Sequence, residues 1–302
     1  MLALIRLLLL VSRPGSLVIT VLTFSLGAGI ADFLGQPVEW TAFYIGLAAS
    51  LLLVFSSQML DVYFRSLNGN LPAAIDDLAK QADSEITPVS FRRLVLQTAI
   101  TMLTIGAVFT VLLLAQDLLT IPALIILGTA FVLAFFFAVP PLSISQKGVG
   151  EIIEAILLVN LISAFSFMLQ YGQVHRLLVM VTLPLTCLLL AMRLALALPK
   201  YGEDMIKNNE NMMTSVGWEK GIQMHNLLII AAYALVAVAF LFGLPWRLVW
   251  PMLLTIPVAF YQIWQMRQIS LGVKPNWSIL RLTAITLFGL TAYLITISLW
   301  IG

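Results

Sequence analysis

The feature of this sequence that most constrains its fold is a series of long, uninterrupted apolar runs. A membrane-spanning helix needs about 20 mostly apolar residues, because the bilayer core offers its backbone no hydrogen-bond partner outside the helix. Of the 302 residues, 61% are hydrophobic and only 10% are charged, with a mean hydropathy of +1.03. These values exclude a water-soluble globule. The runs are continuous rather than alternating, which disfavours a β-barrel. We therefore predict an all-α integral membrane protein.

The apolar runs predict nine transmembrane helices. They lie at roughly residues 16–34, 40–60, 94–115, 119–139, 150–170, 177–198, 225–243, 245–264 and 279–300. The first 15 residues, MLALIRLLLLVSRPG, hold an apolar run too short to span and no small-residue cleavage site. We expect an interfacial helix there rather than a signal peptide.

The positions of the Lys and Arg residues predict the orientation of the chain. With the N-terminus in the cytoplasm, all but Arg176 and Arg247 of the 16 basic residues fall on the cytoplasmic side. Cytoplasmic loops of membrane proteins carry this excess of positive residues. An odd number of spans then places the C-terminus outside. The net charge of +2 is thus a topology signal and indicates no nucleic-acid partner.

Two long cytoplasmic connections, at about 61–93 and 199–224, hold many of the acidic residues. Loops of this length are usually functional or disordered, so we expect a polar cap on the cytoplasmic face. In the second connection, Lys200 and Asp204 stand four residues apart and would share one helix face. The single Cys187 lies within a predicted span, which leaves no disulfide framework and no thiolate metal site.

Three segments resemble one known family. They are SRPGS near the N-terminus, VPPLSISQKGVGE at Val139–Glu151, and the second long connection. Together they resemble the UbiA superfamily of intramembrane prenyltransferases, most closely the branch that prenylates dihydroxynaphthoate for menaquinone. The resemblance extends over essentially the whole chain. It implies one UbiA-like transmembrane domain over residues 1–302, in a bacterial or archaeal cytoplasmic membrane, with membrane lipid and an isoprenoid diphosphate as partners.

The family binds its prenyl diphosphate through magnesium, held by an NDxxD-type and a DxxxD-type motif. Its second motif typically reads NFPDYEADKAAGKRTLAVRLG, and ALPKYGEDMIKNNENMMTSVG runs in register with it here. The matching residues are Pro199, Tyr201, Asp204 and Gly217. Lys200 replaces the first aspartate of DxxxD, so that one carboxylate of the pair remains.

The first motif is also depleted. The segment SSQMLDVYFRSLNG can be set against NDxxD in two ways, and both leave Asp61 as the single carboxylate. One alignment places Ser57 and Gln58 at the other two motif positions, and the second places Leu60 and Phe64 there. The resemblance still implies a role for each remaining polar residue. Asp61 and Asp204 would be catalytic and hold Mg²⁺, while Lys147, Lys200 and Lys207 would contact phosphate, and Gln58 and Tyr201 would orient the substrate.

Two functions follow from this mixture of matches and departures. In the first, the lysines supply part of the metal's charge, and the protein is a prenyltransferase that uses one magnesium ion or none, with an aromatic acceptor. In the second, Lys200 and Asp204 form only an ion pair, worth roughly 0.3–0.5 kcal/mol when exposed. The fold would then serve as a non-catalytic subunit that binds an isoprenoid, quinone, pigment or lipid within a larger membrane complex. A transporter, the third possibility, would be favoured by repeated halves with broken helices, and no convincing internal repeat is present.

Overall fold

The computed structural model describes residues 13–67 and 88–301. Residues 1–12 of the predicted interfacial helix and residues 68–87 of the first long connection lie outside the described residues. The helices are α1 (Pro14–Phe33), α2 (Trp40–Leu67), α3 (Pro88–Ala115), α4 (Ile121–Ala138), α5 (Gly150–Tyr171), α6 (Arg176–Ala197), α7 (Tyr201–Ile206), α8 (Met212–Val216), α9 (Trp218–Leu241), α10 (Trp246–Leu253), α11 (Ile256–Ser270) and α12 (Trp277–Trp300).

Within the described ranges, eight helical segments are long and apolar enough to cross a membrane. This confirms the prediction of an integral, helical membrane protein. In place of the single span predicted at 245–264, the structure has two shorter helices, α10 and α11. Pro257 stands in the first turn of α11. Proline has no N–H to donate to the preceding turn and clashes with it, which explains why the helix is interrupted near Thr255.

The centre of the bundle is built from α1, α5 and α6. Helix α1 packs against α5 and α12, while α6 packs against α9 and α12. Small residues allow α1 and α5 to approach closely: a Cβ added to Gly27 would overlap the backbone carbonyl oxygen of Ser163 and lie 2.9 Å from Ser166 Cβ. Helix α3 packs mainly on α2 and is otherwise exposed, as expected of a helix that faces lipid.

Several helix boundaries differ from the predicted ones. Helix α2 continues to Leu67, so Asp61 lies on a helix rather than in the first long connection. The second connection is also shorter than predicted, because α9 already begins at Trp218. Helices α7 and α8 lie before it, and a capping box between Asn211 and Thr214 begins α8. We call residues 201–217 the cap segment.

The two ends of the bundle differ in chemistry. The start of α1, the ends of α2, α4 and α6, and the start of α5 meet at what we call the charged end. At the opposite, aromatic end, Trp300 stacks on Trp40 with ring centroids 5.7 Å apart, and its indole N–H donates to the Ser25 carbonyl at 3.0 Å. Alternating helix directions thus gather residues that are far apart in sequence at one place.

Candidate functional site

A cavity of about 280 Å³ lies at the charged end. Four of the long helices, α2, α4, α5 and α6, contribute to its wall together with the cap segment and Arg13, which lies just before α1. The polar and charged residues that line it are Arg13, Arg65, Ser145, Glu151, Glu154, Arg193, Lys200, Asn209, Glu210 and Asn211. The cavity therefore gathers many charged side chains at one place in a largely apolar molecule.

Asp61 organises one side of this cavity. Its carboxylate is buried and accepts from Arg13 Nη2 at 3.1 Å and from Arg65 Nε at 2.9 Å. The Ser145 hydroxyl also donates to Asp61, and Arg65 Nη2 donates to the Ser145 carbonyl at 2.6 Å. Desolvation disfavours the Arg13 cation, but the carboxylates around it outweigh this and hold its pKa above the ordinary value. Both carboxylate oxygens of Asp61 are thus occupied, and two guanidinium groups share one negative charge.

Glu154 organises the opposite side. Its Oε1 accepts from Arg193 Nη2 at 2.5 Å and from the Ser16 hydroxyl at 3.0 Å. The Arg193 Nε is buried and has no hydrogen-bond partner among the described residues. A π-helical turn, Ile156–Leu161, follows Glu154 within α5, and such turns occur frequently at functional sites. This side of the cavity therefore keeps one donor without an acceptor.

The cap segment closes the cavity on the side next to the first turn of α5. The Glu151 carboxylate accepts from the Met212 backbone N–H at 3.1 Å. Asp204 lies in α7, and its two oxygens accept from the side-chain amides of Asn209 at 3.1 Å and Asn211 at 3.0 Å. Asp204 thus fixes the shape of the cap segment, whose residues 209–211 line the cavity.

The predicted site residues fall in different places. Of the three predicted phosphate-binding lysines, Lys200 lines the cavity, whereas Lys147 and Lys207 are exposed outside its lining. Asp61 lies directly behind the lining, where its carboxylate forms ion pairs with Arg13 and Arg65. Tyr201 is partly buried and packs against the hydrophobic core. Gln58 is buried in α2, and its Oε1 has no hydrogen-bond partner in the described structure.

The predicted ion pair between Lys200 and Asp204 does not form. Among residues 13–67 and 88–301, Lys200 makes no ion pair with Asp204, whose oxygens bind the two asparagine amides instead. The reason is local geometry: Lys200 ends a 3₁₀ turn and Asp204 lies on the following short helix. They do not occupy one regular α-helix, which is what the four-residue spacing assumed.

The described residues do not fit a magnesium site. Magnesium prefers several oxygen ligands, usually carboxylates and water, and the described residues contain no group of three or more Asp, Glu, His or Cys suited to a metal. The oxygens of Asp61 accept from guanidinium groups, and those of Asp204 accept from amides. That Asp61 and Asp204 share a metal ion stays a prediction, which this hydrogen bonding does not favour.

Arg13, Arg65 and Arg193 line the cavity wall, a place that their interpretation as topology signals does not predict. Two features of the sequence point to it. Arg193 and Glu154 are ionisable residues inside predicted spans, a position that usually indicates function. Asp61 and Arg65 stand four residues apart, the spacing of a helical ion pair.

Three consecutive phenylalanines, Phe135–Phe137, lie near the end of α4 and face different surroundings. Phe137 lines the cavity, and Phe135 lines a shallow apolar recess between α2, α3 and α4.

Comparison with known proteins gives a clear answer for the fold. No protein-family model matches the sequence, and no curated protein matches it. Among solved structures, a UbiA homolog from Archaeoglobus fulgidus bound to DMAPP and Mg²⁺ has a TM-score of 0.61 and 14% identity, covering 96% of this chain and 99% of that chain. The same homolog bound to GPP and Mg²⁺ has a TM-score of 0.59 and 14% identity, covering 95% and 99%. A further structure of it, with a TM-score of 0.62 and 15% identity, covers 94% and 98%. The chain therefore shares the fold of a UbiA homolog over nearly its whole length.

Proposed function

We propose that this protein binds an isoprenoid diphosphate in the charged cavity and transfers its prenyl group to an aromatic acceptor, such as the quinone precursor dihydroxynaphthoate. One observation carries the proposal: three arginines and Lys200 line a single cavity at the end of a membrane bundle. Guanidinium groups match phosphate oxygens in a bidentate manner. The solved homolog with the same fold is bound to DMAPP or GPP in two of its structures.

The chemistry asks the cavity to stabilise a leaving group. The allylic carbon–oxygen bond breaks, its electron pair stays with the diphosphate, and an aromatic ring carbon then attacks the allylic cation and loses a proton. Arg13, Arg65 and Lys200 would neutralise the charge that develops on the departing oxygens. The ring face of Phe137 in the cavity wall would stabilise the allylic cation. Gln58 and Tyr201 remain candidates for orienting the substrate.

We also propose how the bundle sits in the membrane. Residues 1–302 form one UbiA-like domain with nine crossings, in which α10 and α11 together make one crossing. The charged end faces the cytoplasm of a bacterial or archaeal cell, which places the C-terminus outside. The accumulation of Arg and Lys at the charged end supports this orientation.

A transfer assay tests the function. Purified protein in lipid nanodiscs would receive isoprenoid diphosphates of increasing chain length together with dihydroxynaphthoate, and mass spectrometry would detect the prenylated product. We expect product from the wild type and a reduced yield from Lys200→Gln. The matched control is Lys220→Gln, because Lys220 is exposed on α9 away from the cavity lining. Absence of prenylated product with every diphosphate would overturn the proposed transfer.

A second candidate is a non-catalytic subunit that holds an isoprenoid-tailed ligand within a larger membrane complex. The observation that favours it is the state of Asp61, whose carboxylate is occupied by Arg13, Arg65 and Ser145. The transfer assay, combined with a binding titration of the same diphosphates, separates the two candidates. Tight binding without product from any aromatic acceptor, together with copurification of other membrane proteins, would favour the subunit.

A further inference from the structure

We infer that side-chain cations take the place of the divalent metal in this cavity, so that a prenyl diphosphate binds here without Mg²⁺. This inference rests on the proposed function, since it takes the isoprenoid diphosphate as the ligand. It differs from the metal use of the solved homolog, two of whose structures contain Mg²⁺ together with the diphosphate.

The first argument is the occupancy of Asp61. Its side chain is only 2% exposed, and guanidinium nitrogens lie 2.9 and 3.1 Å from its two oxygens. A magnesium ion bound at about 2.0–2.1 Å from either oxygen would stand close to a guanidinium group of the same sign. Metal binding would require Asp61 to give up contacts that hold Arg13 and Arg65 in the cavity wall.

Three further carboxylates near the cavity are similarly engaged, whereas the exposed Glu210 in the lining has no side-chain partner among the described residues. Glu154 is paired with Arg193 at 2.5 Å, and Glu151 accepts from the Met212 backbone N–H. The Asp204 oxygens accept from two asparagine amides. Within the described ranges these carboxylates serve the architecture of the site, and each would have to be released before it could serve a metal.

The second argument is the charge count of the cavity. Its lining carries four cations, Arg13, Arg65, Arg193 and Lys200, and three carboxylates, Glu151, Glu154 and Glu210. Asp61, directly behind the lining, is a fourth carboxylate, so the cations and the carboxylates are equal in number. A site built from aspartates alone repels a diphosphate until metal ions are added. Here a side-chain cation already matches each carboxylate, so an anion can enter without an added cation.

The third argument is the supply of unused donors. The side chain of Lys200 makes no hydrogen bond or ion pair to any described residue. The buried Arg193 Nε has no acceptor in the described structure either. Both residues line the cavity. A phosphate group in the cavity would accept a charge-assisted hydrogen bond from the Lys200 ammonium group, whereas Arg193 Nε is shielded from the cavity by its burial.

Calorimetric titration separates this inference from the proposed function. Purified protein would be titrated with geranyl S-thiolodiphosphate, an unreactive diphosphate analogue, once in EDTA and once in excess Mg²⁺. We expect dissociation constants that agree within about twofold. Binding that requires Mg²⁺ would overturn the inference and leave the proposed function standing. Absence of binding under both conditions would overturn both.

Substitutions at Lys200 test the role of a side-chain cation. We expect Lys200→Gln to weaken binding in EDTA by roughly tenfold, the loss typical of one charge-assisted contact. Lys200→Asp should weaken it further in EDTA and recover part of the loss when Mg²⁺ is added. Lys220→Gln should bind as the wild type does. A Lys200→Gln variant that binds normally in EDTA would contradict the inference, and thermal melting would confirm that each variant is folded.

Discussion

At the scale of single residues, the charged end depends on Asp61. Its carboxylate joins Arg13 before α1, Arg65 on α2 and Ser145 in the turn after α4. The resemblance to the UbiA superfamily predicts that Asp61 holds a metal ion, and this stays a prediction. In the structure Asp61 is a common acceptor that positions two cations and a loop.

We predict that Asp61→Asn destabilises the protein. An amide is isosteric with the carboxylate but leaves Arg13 and Arg65 without a counter-charge. Removing one partner of a buried ion pair costs about 3–5 kcal/mol. We expect the lower end of this range, because the Arg13 side chain is 41% exposed. The measurement is the melting temperature in detergent.

The matched control for Asp61→Asn is Arg281→Gln. Arg281 is exposed on α12 and outside the cavity lining, so its loss should leave the melting temperature unchanged. Equal melting of Asp61→Asn and the wild type would show that the Asp61 cluster does not stabilise the fold.

At the scale of helices, the sequence predicts the spans well because each span depends on its own composition. Continuous apolar runs place α1, α4, α5 and α6 within a few residues of their observed limits. The contacts of the cavity depend on packing between distant segments. Ser16 and Glu154, for example, are 138 residues apart, and their pairing follows from the packing of α1 on α5. A single sequence does not contain that information.

The close approach of α1 and α5 leads to a second prediction. Gly27→Ala should destabilise the bundle, because the new methyl group would overlap the Ser163 backbone carbonyl, which cannot move as a flexible side chain would. Overpacking of this kind typically costs about 1–3 kcal/mol. Gly128→Ala in α4 is the control, since no heavy atom lies within 4 Å of its added Cβ. It should be neutral or slightly stabilising, because alanine favours a helix. Equal destabilisation by both substitutions would contradict the packing argument.

The docking of the cap segment leads to a third prediction. A Cβ on Gly148 would overlap the Ser215 hydroxyl and lie 2.5 Å from Ser215 Cβ. Gly148→Ala should therefore displace α8 from the turn before α5 and make the cap segment more sensitive to limited proteolysis. Adding Ser215→Gly removes both overlapping atoms and should restore protection. Unchanged proteolysis of the single variant would show that the cap segment does not depend on this contact.

At the scale of the whole molecule, the path of the chain indicates how often it crosses the membrane. Gly243, just after α9, lies against Arg176 at the start of α6, which is at the aromatic end. Helix α12 finishes at the aromatic end, where Trp300 stacks on Trp40. It therefore begins at the charged end. The chain between α9 and α12 has to pass from one end to the other, and residues 246–270 would extend about 37 Å as a helix, enough for a bilayer core of about 30 Å.

We therefore predict that α10 and α11 together form one crossing, despite the break between them. Cysteines introduced at the exposed Phe242 and Leu271, in a Cys187→Ala background, would report the two sides through a membrane-impermeant maleimide. On intact cells we expect labelling of Phe242→Cys and of the reference Gln36→Cys at the aromatic end. Leu271→Cys should react only after permeabilisation, because it would lie with the basic residues in the cytoplasm. Labelling of Phe242→Cys and Leu271→Cys from the same side would instead mean that the broken pair enters the bilayer and returns, leaving eight crossings and the C-terminus in the cytoplasm.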